Sequence, residues 1–224
     1  TSVPDRLPTW ATKWRRYAGR DVLPFWVADM DFRAPPAVLE ALHRRVDHGV
    51  FGYTDTPEPL VDLLLERLRS RHGWAVEAEW LVWLPGVVPG FNMAAAGTGD
   101  ATAPVLVPRP VYYPFLDTPA NAGRPAAHPD LVRTGDGATA RWEMDLEAID
   151  GAAAPGAVFM LCNPQNPTGR CYERRELEAL ADVACRRDLV VCSDEIHGDL
   201  ILADRPHVPI AALDREIAAR TITL

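Results

Sequence analysis

The sequence predicts an α/β fold with three layers, in which helices cover both faces of a mostly parallel β-sheet. Residues 157–162 and 189–192 are apolar throughout, and each run has the length of a buried strand and ends in turn or polar residues. Residues 173–188, which lie between them, carry apolar side chains at the spacing of one helix face. Strand, helix and strand in this order indicate a right-handed crossover between parallel strands.

Polar side chains follow both of these strands at the point where each one ends. Asn166 lies in an Asn-Pro-Thr-Gly turn after the first strand, and Asp194 follows the second. Ligands of parallel sheets bind outside the carboxyl ends of the strands. Each motif also has a purely structural interpretation, as a turn for Asn166 and as a helix cap for Asp194. Their joint position at strand ends favours a site.

The segments before this crossover predict an N-terminal arm followed by helices. Residues 1–20 are polar, with prolines and tryptophans, and predict an extended arm. A helix is predicted from the Pro35-Pro36 pair to Gly49, because proline is tolerated in a first helical turn. Residues 57–72 form a second amphipathic pattern, and Gly73 follows as a C-terminal stop.

A glycine turn at residues 85–90 precedes a predicted helix over residues 91–96. The free amides at such a helix N-terminus can bind an anion, although a plain strand-to-helix loop explains the same pattern. Residues 105–107 predict a strand, and the aromatic residues that follow it, among them Tyr112, fit either a stacked planar ligand or the core.

The rest of the chain is less strongly patterned. Residues 116–156 predict a short strand, loops and a helix near Leu146. Residues 201–219 predict a loop with a short helix, and residues 221–224 predict the start of a further strand.

Composition excludes several classes of partner. The 224 residues carry 23 basic and 31 acidic side chains, a net charge of −8, which argues against nucleic acid or anionic membranes as partners. No apolar run approaches the roughly 18–20 residues of a membrane span. The four cysteines lack metal-ligand spacing, so we expect no metal site and reduced thiols in a cytoplasmic protein.

Seven motifs, taken together, resemble those of a known enzyme family. The sequence is similar to fold-type-I pyridoxal 5'-phosphate (PLP) enzymes of the class I/II aminotransferase superfamily, and more narrowly to their MalY/PatB-like cystathionine β-lyase branch. The Trp-Val-Ala-Asp-Met-Asp-Phe run and the Ser-Asp-Glu-Ile-His run are the most specific to that branch. The motifs occupy residues 13–14, 23–32, 51–54, 84–89, 110–115, 163–169 and 193–197.

The resemblance assigns roles around the cofactor ring. Asp194 would pair with the protonated pyridine nitrogen, and Asn166 would donate a hydrogen bond to the phenolic oxygen. Tyr112 would stack on one face of the ring while Ile196 presses on the other. His197 would have a supporting position near the ring, although a lone histidine is more often structural.

Further roles follow from the same resemblance. The backbone amides of Gly86, Val87 and Val88 would bind the cofactor phosphate. Tyr53 would reach the phosphate of the neighbouring subunit, which implies a homodimer. The residues expected to line the substrate side are Trp26, Asp29 and Asp31.

The implied activity is a PLP-dependent carbon–sulfur β-lyase that converts an amino-acid thioether into a thiol, pyruvate and ammonia. An aminotransferase and a non-catalytic scaffold are the alternatives. The Schiff-base lysine is expected just after Leu224, so we expect an incomplete large domain that contains no catalytic residue and is inactive alone. Residues 1–45 would be the N-terminal arm and the start of a small domain, and residues 46–224 the PLP-binding large domain. The loop at residues 97–104 departs from the family pattern.

Overall fold

The computed structural model describes residues 3–202 and 204–224, so the first two residues of the predicted arm and one residue of the predicted 201–219 loop lie outside the described residues. The chain divides into two compact units, Thr1–Asp55 and Thr56–Leu224. Among the described residues no helix combines the length and the apolarity that a membrane span requires.

The first unit contains a short 3₁₀ helix, Leu7–Thr9, and two α-helices, α1 (Thr12–Arg15) and α2 (Pro36–His48). Helix α2 has the predicted limits: proline occupies its first turn, and Gly49 ends it with a φ of 75°, a left-handed conformation that glycine adopts without strain.

The second unit contains the sheet and the remaining helices. Its helices are α3 (Glu58–His72), α4 (Val87–Gly97), α5 (Pro114–Asn121), α6 (Leu146–Ala152), α7 (Arg174–Arg186) and α8 (Arg215–Ala218). Its strands are β1 (Val105–Leu106), β2 (Ala126–Ala127), β3 (Val132–Thr134), β4 (Arg141–Glu143), β5 (Val158–Cys162), β6 (Val190–Asp194) and β7 (Thr221–Thr223). Short 3₁₀ helices span Ala78–Trp80, Gly137–Thr139 and Ile210–Ala212.

The central sheet has five strands in the order β2-β1-β5-β6-β7, and all of its pairings are parallel. Strands β3 and β4 form a separate antiparallel pair. The predicted crossover is confirmed, because α7 connects the adjacent parallel strands β5 and β6. Every residue of β5 is buried, which explains its continuous apolar sequence.

Helices cover both faces of this sheet. On one face, Phe91 of α4 and Phe115 of α5 stack at 4.3 Å between ring centroids and pack against alternate residues of β5 and β6. On the other face, α7 contributes Leu177 and Leu180, and α6 and α8 complete the cover. The predicted three-layer α/β architecture is therefore confirmed. We call the first of these surfaces the α4 face and the second the α7 face.

Several element limits differ from the prediction. Helix α4 begins at Val87 rather than Phe91, because Pro89 lies in the first turn, where a missing N–H costs no helical hydrogen bond. Strand β6 continues to Asp194, since Ser193 and Asp194 still pair with β5. Helix α5 was not predicted, and its proline-rich sequence gave no helical signal.

Candidate functional site

The loops after β5 and β6 begin side by side. Cys162 and Asp194 are paired across the two strands, and the amide of Asn163 donates a hydrogen bond of 3.0 Å to the Asp194 carbonyl oxygen. The amide of Asn166 lies 3.5 Å from the Cys162 sulfur. The chain therefore brings the Asn-Pro-Thr-Gly turn back to the strand that neighbours Asp194.

Asp194 is a buried carboxylate at the end of β6. Asp194 is only 4% exposed, and its Oδ1 accepts a hydrogen bond of 3.1 Å from the Ile196 amide. Among the described residues no side chain forms a salt bridge with it. Burial raises the pKa of Asp194, against the lowering effects of the Ile196 amide and of His197. Ionising this group is therefore costly until a cation or a hydrogen-bond donor reaches it.

Strand alternation places Asp194 on the α4 face. Cys192, two residues earlier, belongs to the core cluster under α4 and α5, and side chains two residues apart in a strand share a face. Val87, at the start of α4, and Tyr112, just before α5, pack against the same cluster. The structure thus brings Asp194, Tyr112 and the α4 N-terminus to one side of the sheet.

The N-terminus of α4 offers uncapped amides. Gly86 is the N-cap residue, and no side chain in residues 3–202 or 204–224 caps the helix. The first amides of a helix have no partner within it, so those of Val87 and Val88 are free for an anion. Helix α4 has 11 residues, and its dipole adds to this preference.

A cleft of about 540 Å³ separates the loop after β5 from the loop after β6. Asn166 and His197 both line this cleft, and both are half-buried. Asp194 is not among its lining residues. Ile196, between Asp194 and His197, is 60% exposed, so its side chain is available to a ligand. The two loops share this cavity, whereas the predicted joint site of Asn166 and Asp194 stays a prediction, because Asp194 lies outside the lining.

The remaining predicted site residues lie in the first unit. Trp26 donates a hydrogen bond to the Lys13 carbonyl oxygen, and Asp29 and Asp31 both pair with Arg6. Tyr53 is fully exposed. These contacts are internal to the first unit, and the predicted substrate and subunit roles of these residues stay predictions.

Sequence reasoning missed one feature beside the site, a buried network of Ser193, Glu195 and His207. The Nε2 atom of His207 lies 2.6 Å from Glu195 Oε2, and the Ser193 hydroxyl donates to Glu195 Oε1 at 2.8 Å. The Ser-Asp-Glu-Ile-His motif contains Glu195, but no local pattern connects it with a histidine 12 residues further on.

Comparison with known proteins agrees with this geometry. The family model "Aminotransferase class I and II" matches residues 20–224. The cystathionine β-lyase PatB of Bacillus subtilis (strain 168) is 39% identical over 225 residues, which cover 98% of this chain and 57% of PatB.

Two solved structures extend the comparison. The crystal structure of OvoB has a TM-score of 0.90 and 43% identity, and the match covers 98% of this chain and 57% of that one. Cystalysin from Treponema denticola, whose crystal structure contains PLP, has a TM-score of 0.89 and 31% identity, with 100% of this chain and 58% of that one covered. The chain thus spans little more than half the length of these relatives. Because the family model matches nearly all of the sequence, the chain belongs to the class I and II aminotransferase family.

Proposed function

We propose that the protein containing this chain is a PLP-dependent carbon–sulfur β-lyase that acts on thioether amino acids of the cystathionine type. PatB, at 39% identity, is named a cystathionine β-lyase, and the cystalysin structure contains PLP. The observation that carries the proposal is the buried Asp194 carboxylate at the end of β6, which lacks a side-chain counter-charge among the described residues.

The residues present fit this cofactor. A protonated pyridine nitrogen would supply the cation that the buried Asp194 carboxylate needs, and pairing would restore its ionised form. A phosphate fits the free amides of Gly86, Val87 and Val88 at the start of α4. Both groups would lie on the α4 face, where Tyr112 also packs.

The other predicted contacts complete the proposed site. Asn166 would donate its side-chain amide to the phenolic oxygen of the cofactor. Tyr112 would stack on one face of the ring, and the exposed Ile196 would press on the other. His197 is half-buried and lines the same cleft as Asn166, which suits a supporting contact.

Within such a site the residues of this chain bind and orient, and the cofactor acts as the electron sink for charge that develops at the substrate Cα. Asp194 would maintain the positive charge of the ring and thereby make that sink effective. The phosphate contacts at α4 and the stacking of Tyr112 would fix the plane of the ring, and thus the direction in which substrate bonds break.

Further proposals concern the whole protein. The amino-acid substrate would contact Trp26, Asp29 and Asp31. The full exposure of Tyr53 is compatible with a contact to the cofactor phosphate of a second subunit in a homodimer. The four free thiols suit a cytoplasmic protein. Residues 1–45 would belong to an arm and a small domain, and residues 46–224 to the large domain.

An aminotransferase is the second candidate, because the family model itself is named for that activity. The cofactor contacts described above serve both reactions equally. The two functions differ in their requirement for an acceptor, since a lyase releases pyruvate without one and a transaminase needs a keto acid. A non-catalytic scaffold is the third alternative, and it predicts no cofactor binding.

The test uses the complete gene product with cystathionine and no keto acid. We expect pyruvate release by the wild type. Asp194→Asn removes the charge that pairs with the ring and should lower kcat/KM by roughly 10- to 100-fold or more. Asp150→Asn is the matched control, because Asp150 pairs with Arg186 and Arg187 at the surface between α6 and α7. Turnover only after addition of a keto acid would favour the transaminase, and an unaffected Asp194→Asn variant would remove Asp194 from the site.

A further inference from the structure

His207 is a buried residue that contacts Glu195, the residue directly after Asp194. His207 is 5% exposed, and its Nε2 contacts Glu195 Oε2 at 2.6 Å. The Glu195 side chain is 7% exposed and also accepts the Ser193 hydroxyl at 2.8 Å. Both oxygens of Glu195 are therefore engaged, one by an imidazole and one by a hydroxyl.

This ring is enclosed by three segments besides Glu195. His72, at the end of α3, meets it edge-on with 5.8 Å between ring centroids. The Cys171 thiol, on the loop that follows Asn166, lies beside it without forming a well-aligned hydrogen bond to Nδ1. A Cβ atom added to Gly198 would lie 3.0 Å from His207 Cδ2. His207 thus packs between the two loops that form the cleft.

The two neighbouring carboxylates at the end of β6 have different partners. Ser193 and Asp194 are consecutive strand residues, so their side chains point to opposite faces of the sheet. The Glu195 side chain turns toward Ser193, on the α7 face, and is compensated there by His207. Asp194 is left on the α4 face, and within the described part of the chain its side chain accepts a hydrogen bond only from the Ile196 amide. The Glu195 carboxylate is therefore paired with a histidine inside the protein, whereas the Asp194 carboxylate can pair with a ligand.

We propose that His207 is a positioning residue, which through its ion pair with Glu195 fixes the loop after β6 so that Asp194 and Ile196 face the cofactor. The inference rests on the proposed function for the identity of the ligand. A buried carboxylate whose partner is removed is strongly disfavoured, so loss of the pair would shift the Glu195 backbone, which lies next to both contact residues. The pair acts on the cofactor only through Asp194 and Ile196.

The contribution of the Glu195–His207 pair should depend on pH, because His207 carries a charge only when it is protonated. Burial opposes the charged form, but the Cys171 thiol and the Glu195 carboxylate outweigh it and raise the pKa of His207 from 6.5 to about 9. His72 is the further titratable group that faces the ring. A histidine whose pKa is raised by folding contributes its full effect below pH 6.5, and this effect is lost as the pH rises through about 9.

The first measurement needs no cofactor. In the complete gene product, the His207 imidazole should titrate by NMR near pH 9 in the wild type and at least one unit lower in Glu195→Gln. Asp150→Asn, which alters surface ion pairs, should leave this titration unchanged. A wild-type His207 that titrates at or below pH 6.5 would overturn the ion pair.

The second measurement is PLP affinity as a function of pH. His207→Gln should weaken PLP binding roughly tenfold at pH 6.5, because the buried Glu195 carboxylate then lacks its cation, and the difference from wild type should shrink toward none above about pH 9, where His207 of the wild type is neutral as well. A purely structural defect would give the same loss at every pH. Equal PLP affinity of wild type and His207→Gln at pH 6.5 would refute the positioning role, whereas absence of PLP binding in the wild type would refute the proposed function instead.

Discussion

Asp31 accepts hydrogen bonds from three side chains of the first unit. Its Oδ2 accepts from Lys13 Nζ at 2.6 Å, and its Oδ1 accepts from the Trp14 indole at 2.8 Å and from Arg6 at 3.0 Å. The Lys13 and Trp14 hydrogen bonds lower the pKa of Asp31 to about 2. Lys13, the single lysine of the sequence, is 8% exposed and also donates to the Asp29 carbonyl oxygen.

Asp31→Asn should therefore loosen the segment over residues 22–32. The amide lacks the charge that attracts Lys13 and Arg6, so backbone amides in this segment should exchange hydrogen faster by mass spectrometry. Because the pKa of Asp31 is lowered on folding, the protection in the wild type should persist at neutral pH and disappear only as the pH falls from 3.8 through about 2. Asp47→Asn, an exposed change on α2, is the control. Unchanged exchange in Asp31→Asn would show that the charge network does not order the segment.

One buried arginine, Arg124, forms hydrogen bonds with the C-terminal end of helix α4. The Arg124 guanidinium donates to the carbonyl oxygens of Ala95 at 3.0 Å, Thr98 at 2.8 Å, Ala103 at 2.9 Å and Gly156 at 3.0 Å. Arg124 is 6% exposed, so its replacement would remove the donor from the carbonyls of Ala95, Thr98 and Ala103, whereas the Gly156 carbonyl would keep its hydrogen bond from the Asp100 amide.

Arg124→Met should lower the free energy of unfolding by roughly 2–4 kcal/mol, measured by urea denaturation. The control is Arg174→Met on the surface of α7, where the pair with Glu178 at 3.7 Å is exposed and contributes only about 0.3–0.5 kcal/mol. If the two variants unfold at the same urea concentration, Arg124 does not fasten the helix. The α4 N-terminus, which is proposed to bind phosphate, depends on the helix being held in this position.

The elements that were predicted correctly have a strong local pattern, and those that were missed do not. Helix α7 has a clear apolar stripe and β5 is apolar throughout, so periodicity identified both. The loop at residues 97–104 departs from the family pattern, and its conformation was not predicted. In the structure the Asp100 amide binds the Gly156 carbonyl oxygen at 2.8 Å, and a Cβ atom on Gly99 would lie 2.1 Å from that oxygen. Such a close approach between distant segments has no periodic signature.

The same distinction applies to the site as a whole. The ends of β5 and β6 could be placed side by side from the sequence, because parallel strands bring their carboxyl ends to one edge of the sheet. The Glu195–His207 pair and the four contacts of Arg124 could not, because each joins segments through tertiary packing alone. Motif recognition supplied residue identities, and the strand register supplied their arrangement.

The cysteine thiols differ in burial, so their reactivity reports how often the central sheet opens to solvent. Cys162 and Cys192 lie in adjacent strands, and burial raises the pKa of each to about 12. Cys185, on α7, is only half-buried. Since the thiolate is the reactive form, a neutral-pH thiol reagent should modify Cys185 first in the native protein and should reach Cys162 and Cys192 only on unfolding. Peptide mapping after timed alkylation checks this order, and Cys185→Ser should abolish the early product. Rapid modification of Cys162 or Cys192 in the native protein would mean that the central strands open without global unfolding.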